Sequence, residues 1–276
     1  MPPFILISPA TRGLSLALIR HYLRTTSLPV FGTYRPHPLN TAQPRTPESV
    51  RDHILGPLTG THSAVDPARL HLLPLDFTSE ESIASAADAL ARVLPQNAHS
   101  YIRIAFFLAG VLYPERQPAD LLLKNIAETF ELNVIAHLLL IKHFSRFLPP
   151  STSAQSGENS AGSSLAKWVH VSARVGSISD NALGGWYSYR ASKAALNQVI
   201  RTFDLHLQAK KLPAISVGVH PGTVKTDLSK AFWSSVKPGK LFEPAYAAER
   251  LAEVVKDLGK AQRGKVWDWK GEEVKP

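Results

Sequence analysis

The chain contains no cysteine, which excludes a disulfide framework, a thiolate zinc site and a cysteine nucleophile together. Long apolar runs are missing too. The longest, VIAHLLLI from Val134, carries a histidine and falls far short of the ~20 residues that a membrane helix needs. Negative charge is scarce: 22 Asp and Glu stand against 31 Lys and Arg, a formal charge of +9, and no acidic residue precedes Glu48. The N-terminal stretch, with Arg12, Arg20 and Arg24, therefore has the composition of a transit peptide. Its pattern argues otherwise, because an apolar FILIS run from Phe4 followed by a helical stripe from Leu14 reads as a strand and helix of the fold. The basic excess is not organised for nucleic acid. No basic run exceeds the Lys210 and Lys211 pair, and no aromatic residues interleave a basic stripe, so the charge suits an anionic small ligand. Neither nucleic acid nor membrane is expected as a partner.

Several motifs are absent as well. There is no H-E-x-x-H, no G-x-S-x-G elbow and no Gly-Lys-Ser/Thr phosphate loop, which sets aside zincins, serine hydrolases of that class and nucleoside triphosphatases. No metal is expected. The 11 histidines lack ligand spacing and read as core or surface residues, with His170 and His220 on or beside strands.

What is present is a regular alternation. Short apolar runs (FILIS at Phe4, PVFGTY at Pro29, LHLLPLD at Leu70, IRIAFFLAG at Ile102, KWVHVSA at Lys167, AISVGVHPG at Ala214, KVWDW at Lys265) alternate with amphipathic stretches. The helices expected run to about Arg24, over Glu80–Val93, Ala119–Asn133, Ile135–Phe147, Tyr189–Gln208 and Pro244–Leu258. The pattern is that of an α/β, Rossmann-like, doubly wound parallel sheet of about seven strands with helices on both faces. Two weakly patterned segments, at about 36–69 and 149–164, read as insertions on a single domain spanning 1–276, the first with a short helix near Glu48–Leu55.

In such sheets ligands sit at the carboxyl ends of the strands. The first strand-helix junction, SPATRGLS, puts Gly13 before an apolar stripe, where helix amides and a positive dipole end can hold a phosphate. The helix YRASKAALNQVIRTFDL puts Tyr189 and Lys193 one turn apart on one face. An ammonium beside a phenol lowers its pKa, and such a pair can exchange a proton with a carbonyl or alcohol oxygen. Spacing alone decides nothing, since about 0.4 such pairs are expected by chance. Position raises the pair, because it follows the strand KWVHVSA at the edge where Gly13 lies.

The ordered set of glycine turn, LDFT at Leu75, LAG at Leu108, ELN at Glu131, VSARVGS at Val171, Tyr-x-x-x-Lys and HPGTVKTD at His220 resembles the short-chain dehydrogenase/reductase family. GGWYSYRASKAALN and HPGTVKTDL are similar to its C-factor-like, carbonyl-reductase subgroup. The resemblance implies that Tyr189 is the general acid/base, that Lys193 tunes it and binds the nicotinamide ribose, and that Asn133 holds a proton-relay water. It further implies a dinucleotide held by Ser8, Thr11, Arg12, Gly13, Leu14, Asp76, Phe77, Ala109, Gly110, Pro221, Gly222, Val224 and Thr226. Arg35, after the second strand, and Arg12 favour NADP(H) over NAD(H), because guanidinium groups suit a 2′-phosphate.

Three departures stand out. Of the family's three turn glycines only Gly13 survives, with Pro9 and Ser15 at neighbouring positions; Phe107 and Leu108 replace the paired asparagines before Ala109; and the usual catalytic serine falls on Ala173. Ser172, or alternatively Ser177, is then the candidate hydroxyl for the substrate carbonyl. Phe232 and Trp233 read as an apolar cover or as plain core aromatics. The expectation is a cytoplasmic NADP(H)-dependent oxidoreductase acting on a small carbonyl or alcohol, a homodimer or homotetramer by the family's habit. The alternative is a relative that binds dinucleotide or a partner with little chemistry.

Overall fold

The structure is a computed structural model that describes residues 2–36, 46–58, 65–95, 98–151 and 165–276. Strands rich in Ile, Val, Phe and Leu build one central sheet in the order β10-β9-β6-β5-β4-β1-β2-β3. Their ranges are β1 Pro3–Ser8, β2 Val30–Tyr34, β3 Leu70–Pro74, β4 Tyr101–Phe107, β5 Ala166–Val171, β6 Ala214–His220, β9 Val266–Asp268 and β10 Glu273–Val274. Every pairing is parallel except β10 with β9. That two-residue antiparallel edge is the eighth strand, beyond the seven that the alternation predicts, and is too short to carry a periodic signal. A separate pair, β7 (Thr223–Val224) and β8 (Leu241–Phe242), lies in the segment after β6.

Strand residues alternate between two cores. Ile5 and Ile7 pack with helices α1 (Gly13–Thr25), α2 (Pro47–Leu55) and α7 (Pro244–Asp257), whereas Phe4 and Leu6 pack with α3 (Glu80–Val93), α5 (Ala136–Phe144) and α6 (Tyr187–Ala209). This is the doubly wound arrangement expected. The strand order reverses between β1 and β4, so the crevice for a ligand opens at their carboxyl ends.

One helical expectation is refined. The helices expected at Ala119–Asn133 and Ile135–Phe147 are one continuous rod, in which α4 (Leu123–Phe130) passes into α5 through a π turn over Glu131–Ile135. The segment expected as an insertion at 36–69 is, where described, part of the first core: Val50, Ile54, Leu55 and Leu58 are buried, and Arg20 donates to the carbonyls of Ile54 (3.0 Å) and His53 (2.6 Å). The second expected insertion, 149–164, lies outside the described residues beyond Ser151.

Gly32 in the middle of β2 explains how the first helix sits so close to the sheet. A Cβ there would lie 2.7 Å from Ile19 Cδ1 and 2.8 Å from Ala10 Cβ. The close approach of the first helix and its turn to the sheet is thus permitted from the strand side.

Candidate active site

Three strand ends converge on the crevice. At the first, Ser8 shares a 2.8 Å hydrogen bond with the Thr33 hydroxyl, the Ala10 amide donates to the Thr33 carbonyl (2.9 Å) and the Leu108 amide to the Ser8 carbonyl (2.7 Å). The turn is thus braced between β2 and β4. Gly13 opens α1 with φ +52°, and a Cβ on it would meet Thr226 Cγ2 at 2.8 Å, so both backbone and contact require glycine. Arg12 precedes it in extended conformation with no side-chain cap, and Ser15 donates to the Arg12 carbonyl at 2.7 Å. The first intrahelical bond runs from the Leu16 amide to the Arg12 carbonyl, and no acid occupies the first turn. The earlier amides therefore present a positive helix end. Thr11 and Leu14 are buried beside it, Leu14 in the core. These features fit a pyrophosphate; Pro9, which has no N–H, contributes nothing to it.

Past β2 and β3, Arg35 and Asp76 form a 2.7 Å ion pair. Burial works against the Asp76 charge, but hydrogen bonds from the Thr78 amide and hydroxyl together with the Arg35 guanidinium hold its carboxyl below the usual range. Phe77 packs beside it against the second core.

At the carboxyl ends of β4 and β5 and the start of α6 lie Tyr189 and Lys193, the candidate acid/base pair. Tyr189 is buried, 8% exposed, and Lys193 follows it by one turn with Nζ 5.7 Å from the tyrosine ring centroid. The ammonium donates to the Val171 carbonyl at 2.9 Å. Burial pushes the Tyr189 phenol up to about 12 and brings Lys193 down to about 8. Spacing predicts a lowered phenol pKa; in this structure Lys193 lies over the ring and is held by Val171, and desolvation dominates. Asn133, in the π turn, is fully buried: it accepts from the Val111 amide (2.8 Å) and donates to the Val111 carbonyl (3.0 Å) and to Ser192 Oγ (3.0 Å), which in turn donates to the Tyr189 carbonyl (2.8 Å). A Cβ on Gly110 would stand 3.1 Å from Asn133 Oδ1 and 3.6 Å from Lys193 Nζ, so the β4 end threads between them.

The two candidate serines are placed differently from the others. Ser172 donates to Asn197 Oδ1 at 2.6 Å. Ser177 lies within 3.3 Å of both Ser179 Oγ and the Pro276 carbonyl and accepts from the Asp180 amide at 3.0 Å. Both are buried and both hydroxyls are engaged away from Tyr189.

On the other side, Pro221 and Gly222 lead from β6 into β7, where Val224 is buried, and Thr226 closes on Gly13. Phe232 packs against Trp186 with ring centroids 4.8 Å apart, and Trp186 meets Tyr189 edge-on at 6.1 Å. Trp233 donates to Ser229 Oγ at 2.9 Å and stays part of the same segment.

Sequence reasoning missed three things. One is Glu115, from a loop without periodicity, whose carboxylate reaches Ser188 on α6. Another is Gly32. The third is a buried pair of histidines: His137 Nε2 contacts the Ala109 carbonyl at 3.1 Å, its Nδ1 lies 2.9 Å from His170 Nδ1, and burial lowers both pKa values, His137 to about 3. With the carbonyl fixing the Nε2 tautomer of His137, His170 donates from Nδ1 and leaves its Nε2 without a partner. A histidine inside the apolar stretch VIAHLLLI was the signal available.

No group of three or more His, Cys, Asp or Glu that could hold a metal occurs among the described residues, and none of their helices is long and apolar enough to cross a membrane.

A doubly wound sheet with an open helix N-terminus at its switch point and a buried Tyr-Lys pair at the same edge has the architecture of the dinucleotide-dependent oxidoreductases. The short chain dehydrogenase family matches residues 59–237, and the chain belongs to that family. It is 32% identical over 186 residues to a 1-hydroxy-2-glutathionyl-2-methyl-3-butene dehydrogenase of a Rhodococcus species, covering 67% of this chain and 70% of the other. It is 32% identical over 110 residues to the C-signal protein of Myxococcus xanthus, covering 40% of this chain and 61% of that protein's length. Among solved structures, the NADPH-bound carbonyl reductase from chicken fatty liver superposes with a TM-score of 0.77 at 27% identity, over 99% of this chain and 98% of that one.

Proposed function

We propose that the protein, as one domain, is an NADP(H)-dependent reductase of small carbonyl compounds in which Tyr189 delivers the proton. The observation that carries this reading is the buried Tyr189 beside Lys193, at the crevice edge that Gly13 and Thr226 share. The dihydronicotinamide would supply the hydride. The phenol, protonated at every working pH, donates to the carbonyl oxygen as negative charge develops there. Lys193 binds the ribose and holds positive charge beside the ring, Asn133 and Ser192 fix the helix turn that carries the phenol, and Trp186 and Phe232 exclude water above it. Arg12, Gly13, Arg35, Asp76, Phe77, Ala109, Gly110 and the 221–226 segment would hold the dinucleotide, with Arg35 and Arg12 toward a 2′-phosphate. The NADPH of the chicken reductase supports that preference. No serine hydroxyl is assigned to the substrate, since Ser172 and Ser177 are engaged elsewhere. Exposed apolar side chains along α4 and α5, Leu123, Ile135 and Leu138, fit assembly through the helices beside Asn133.

One experiment tests the reading. Tryptophan fluorescence titration should show NADPH binding more tightly than NADH, with the preference lost in Arg35→Ala. Tyr189→Phe should keep NADPH affinity while losing at least ~100-fold of the turnover of small aldehydes or diketones. Turnover retained in Tyr189→Phe refutes the assigned role. Tight NADPH binding with no turnover by the wild type favours a binding protein, a reading that Ala173 in the serine position motivates.

A further inference from the structure

Trp186, the residue before α6, cannot cap a helix with its side chain, and it adopts the left-handed conformation (φ +51°) rather than the extended one usual at that position. The end of α6 is nevertheless satisfied. Glu115, in the loop that follows β4 and 2% exposed, accepts the Trp186 amide on its carbonyl (2.6 Å), the Ser188 amide on Oε2 (2.7 Å) and the Ser188 hydroxyl on Oε1 (2.7 Å). A buried carboxylate with two charge-assisted hydrogen bonds at a helix N-terminus is strongly anchored. Its own loop is held by hydrogen bonds: the Glu115 amide donates to the Tyr113 carbonyl, Tyr113 donates to Glu128, and Asp120 accepts from the Arg116 and Gln117 amides. From the helix side, Arg190 donates to the carbonyls of Gly184 and Gly185.

We infer that Glu115 is the positioning residue of the active-site tyrosine: it fixes the turn 185–188 so that Tyr189 and the ring of Trp186 face the substrate in one geometry. It touches neither cofactor nor reacting atoms. The residues it binds are the one immediately before Tyr189 and the one whose ring packs between Tyr189 and Phe232. Misplacement of a reacting group by about 1 Å can cost ~100-fold in rate, so losing this anchor should appear in kcat. The inference rests on the reading of Tyr189 as proton donor, and the test separates the two.

The full chain and its Glu115→Gln, Glu115→Ala and Ser188→Ala variants are compared by hydrogen exchange of the Trp186 and Ser188 amides, by NADPH titration and by steady-state reduction of 1-phenyl-1,2-propanedione. Glu115→Ala should lose protection at the Ser188 amide, whose acceptor is the carboxylate, keep it at the Trp186 amide, whose acceptor is the backbone carbonyl, and lower kcat ~10- to 100-fold, with NADPH affinity and KM within about twofold. Glu115→Gln keeps one acceptor and should fall between Ala and wild type, which a mere loss of folding would not produce. Ser188→Ala keeps the amide bond and should lose less still. Wild-type protection of the Ser188 amide in Glu115→Gln and Glu115→Ala overturns the inference, as does its lost protection with unchanged kcat or a loss confined to KM. If Glu115→Ala does not fold, the Gln and Ser188 variants decide by the same readouts. A wild type that reduces no substrate refutes the functional reading instead, and the exchange result still decides whether Glu115 fixes the turn.

Discussion

At the residue scale, the site depends on what burial does to two side chains. Desolvation leaves Tyr189 protonated and brings Lys193 to about 8, the range in which an enzyme would work. A proton donor must hold its proton, so the raised phenol suits reduction. Lys193 is cationic below its pKa and neutral above it. On the proposed function, kcat/KM for carbonyl reduction should therefore be level from about pH 6 to 7.5 and fall as pH rises through about 8. Lys193→Arg, whose charge is fixed, should be slower but keep a level profile, and an alkaline limb that persists in this variant would assign it to another group. The Tyr189 and Lys193 pair was legible because its spacing is local. Glu115 was not, because its partner Ser188 lies 73 residues away and the loop that carries it has no period.

At the element scale, the first helix and its turn are set by one contact from β2. Adding a methyl at Gly32 would press on Ile19, which can move, and on Ala10, which the Thr33 carbonyl holds by its amide. Gly32→Ala should cost about 1–3 kcal/mol by overpacking, measured by urea unfolding, and, on the proposed function, should weaken NADPH binding because Ala10 belongs to the turn proposed to hold the phosphates. A variant as stable as wild type with unchanged affinity would show that Ile19 alone absorbs the methyl. The helices themselves followed their apolar periodicity closely, α6 and α7 within two residues of expectation at each end. The π turn did not, since a single-turn widening leaves the periodicity on either side intact.

At the scale of the whole molecule, three neutral histidines lie near the strand ends, His137 of α5 and His170 of β5 fully buried and His220 of β6 partly so. His137 is lowered to about 3 and His220 to about 4, each mainly by burial, with His170 also well below its ordinary value. In the unfolded chain they take up protons near pH 6.5, whereas the folded protein does so only at much lower pH. Their stabilising contribution is complete above about pH 6.5 and lost as pH falls toward 4, at about 1.4 kcal/mol per pH unit for each histidine acting alone. The urea midpoint should therefore drop markedly between pH 7.5 and 5, and His220→Phe should reduce that drop. A midpoint that does not change over this range would mean that the histidines open to solvent.

The sequence by itself determined the alternation of strands and helices, the family, the glycine turn that opens α1 and the Tyr-Lys spacing, because each rests on spacing within one or two elements. Tertiary structure alone decided what those residues touch. It committed Ser172 to Asn197, joined His137 to His170 and set Glu115 under α6. Such contacts join residues 25 to 73 positions apart, and only the packing of the sheet and its helices brings them within hydrogen-bond reach.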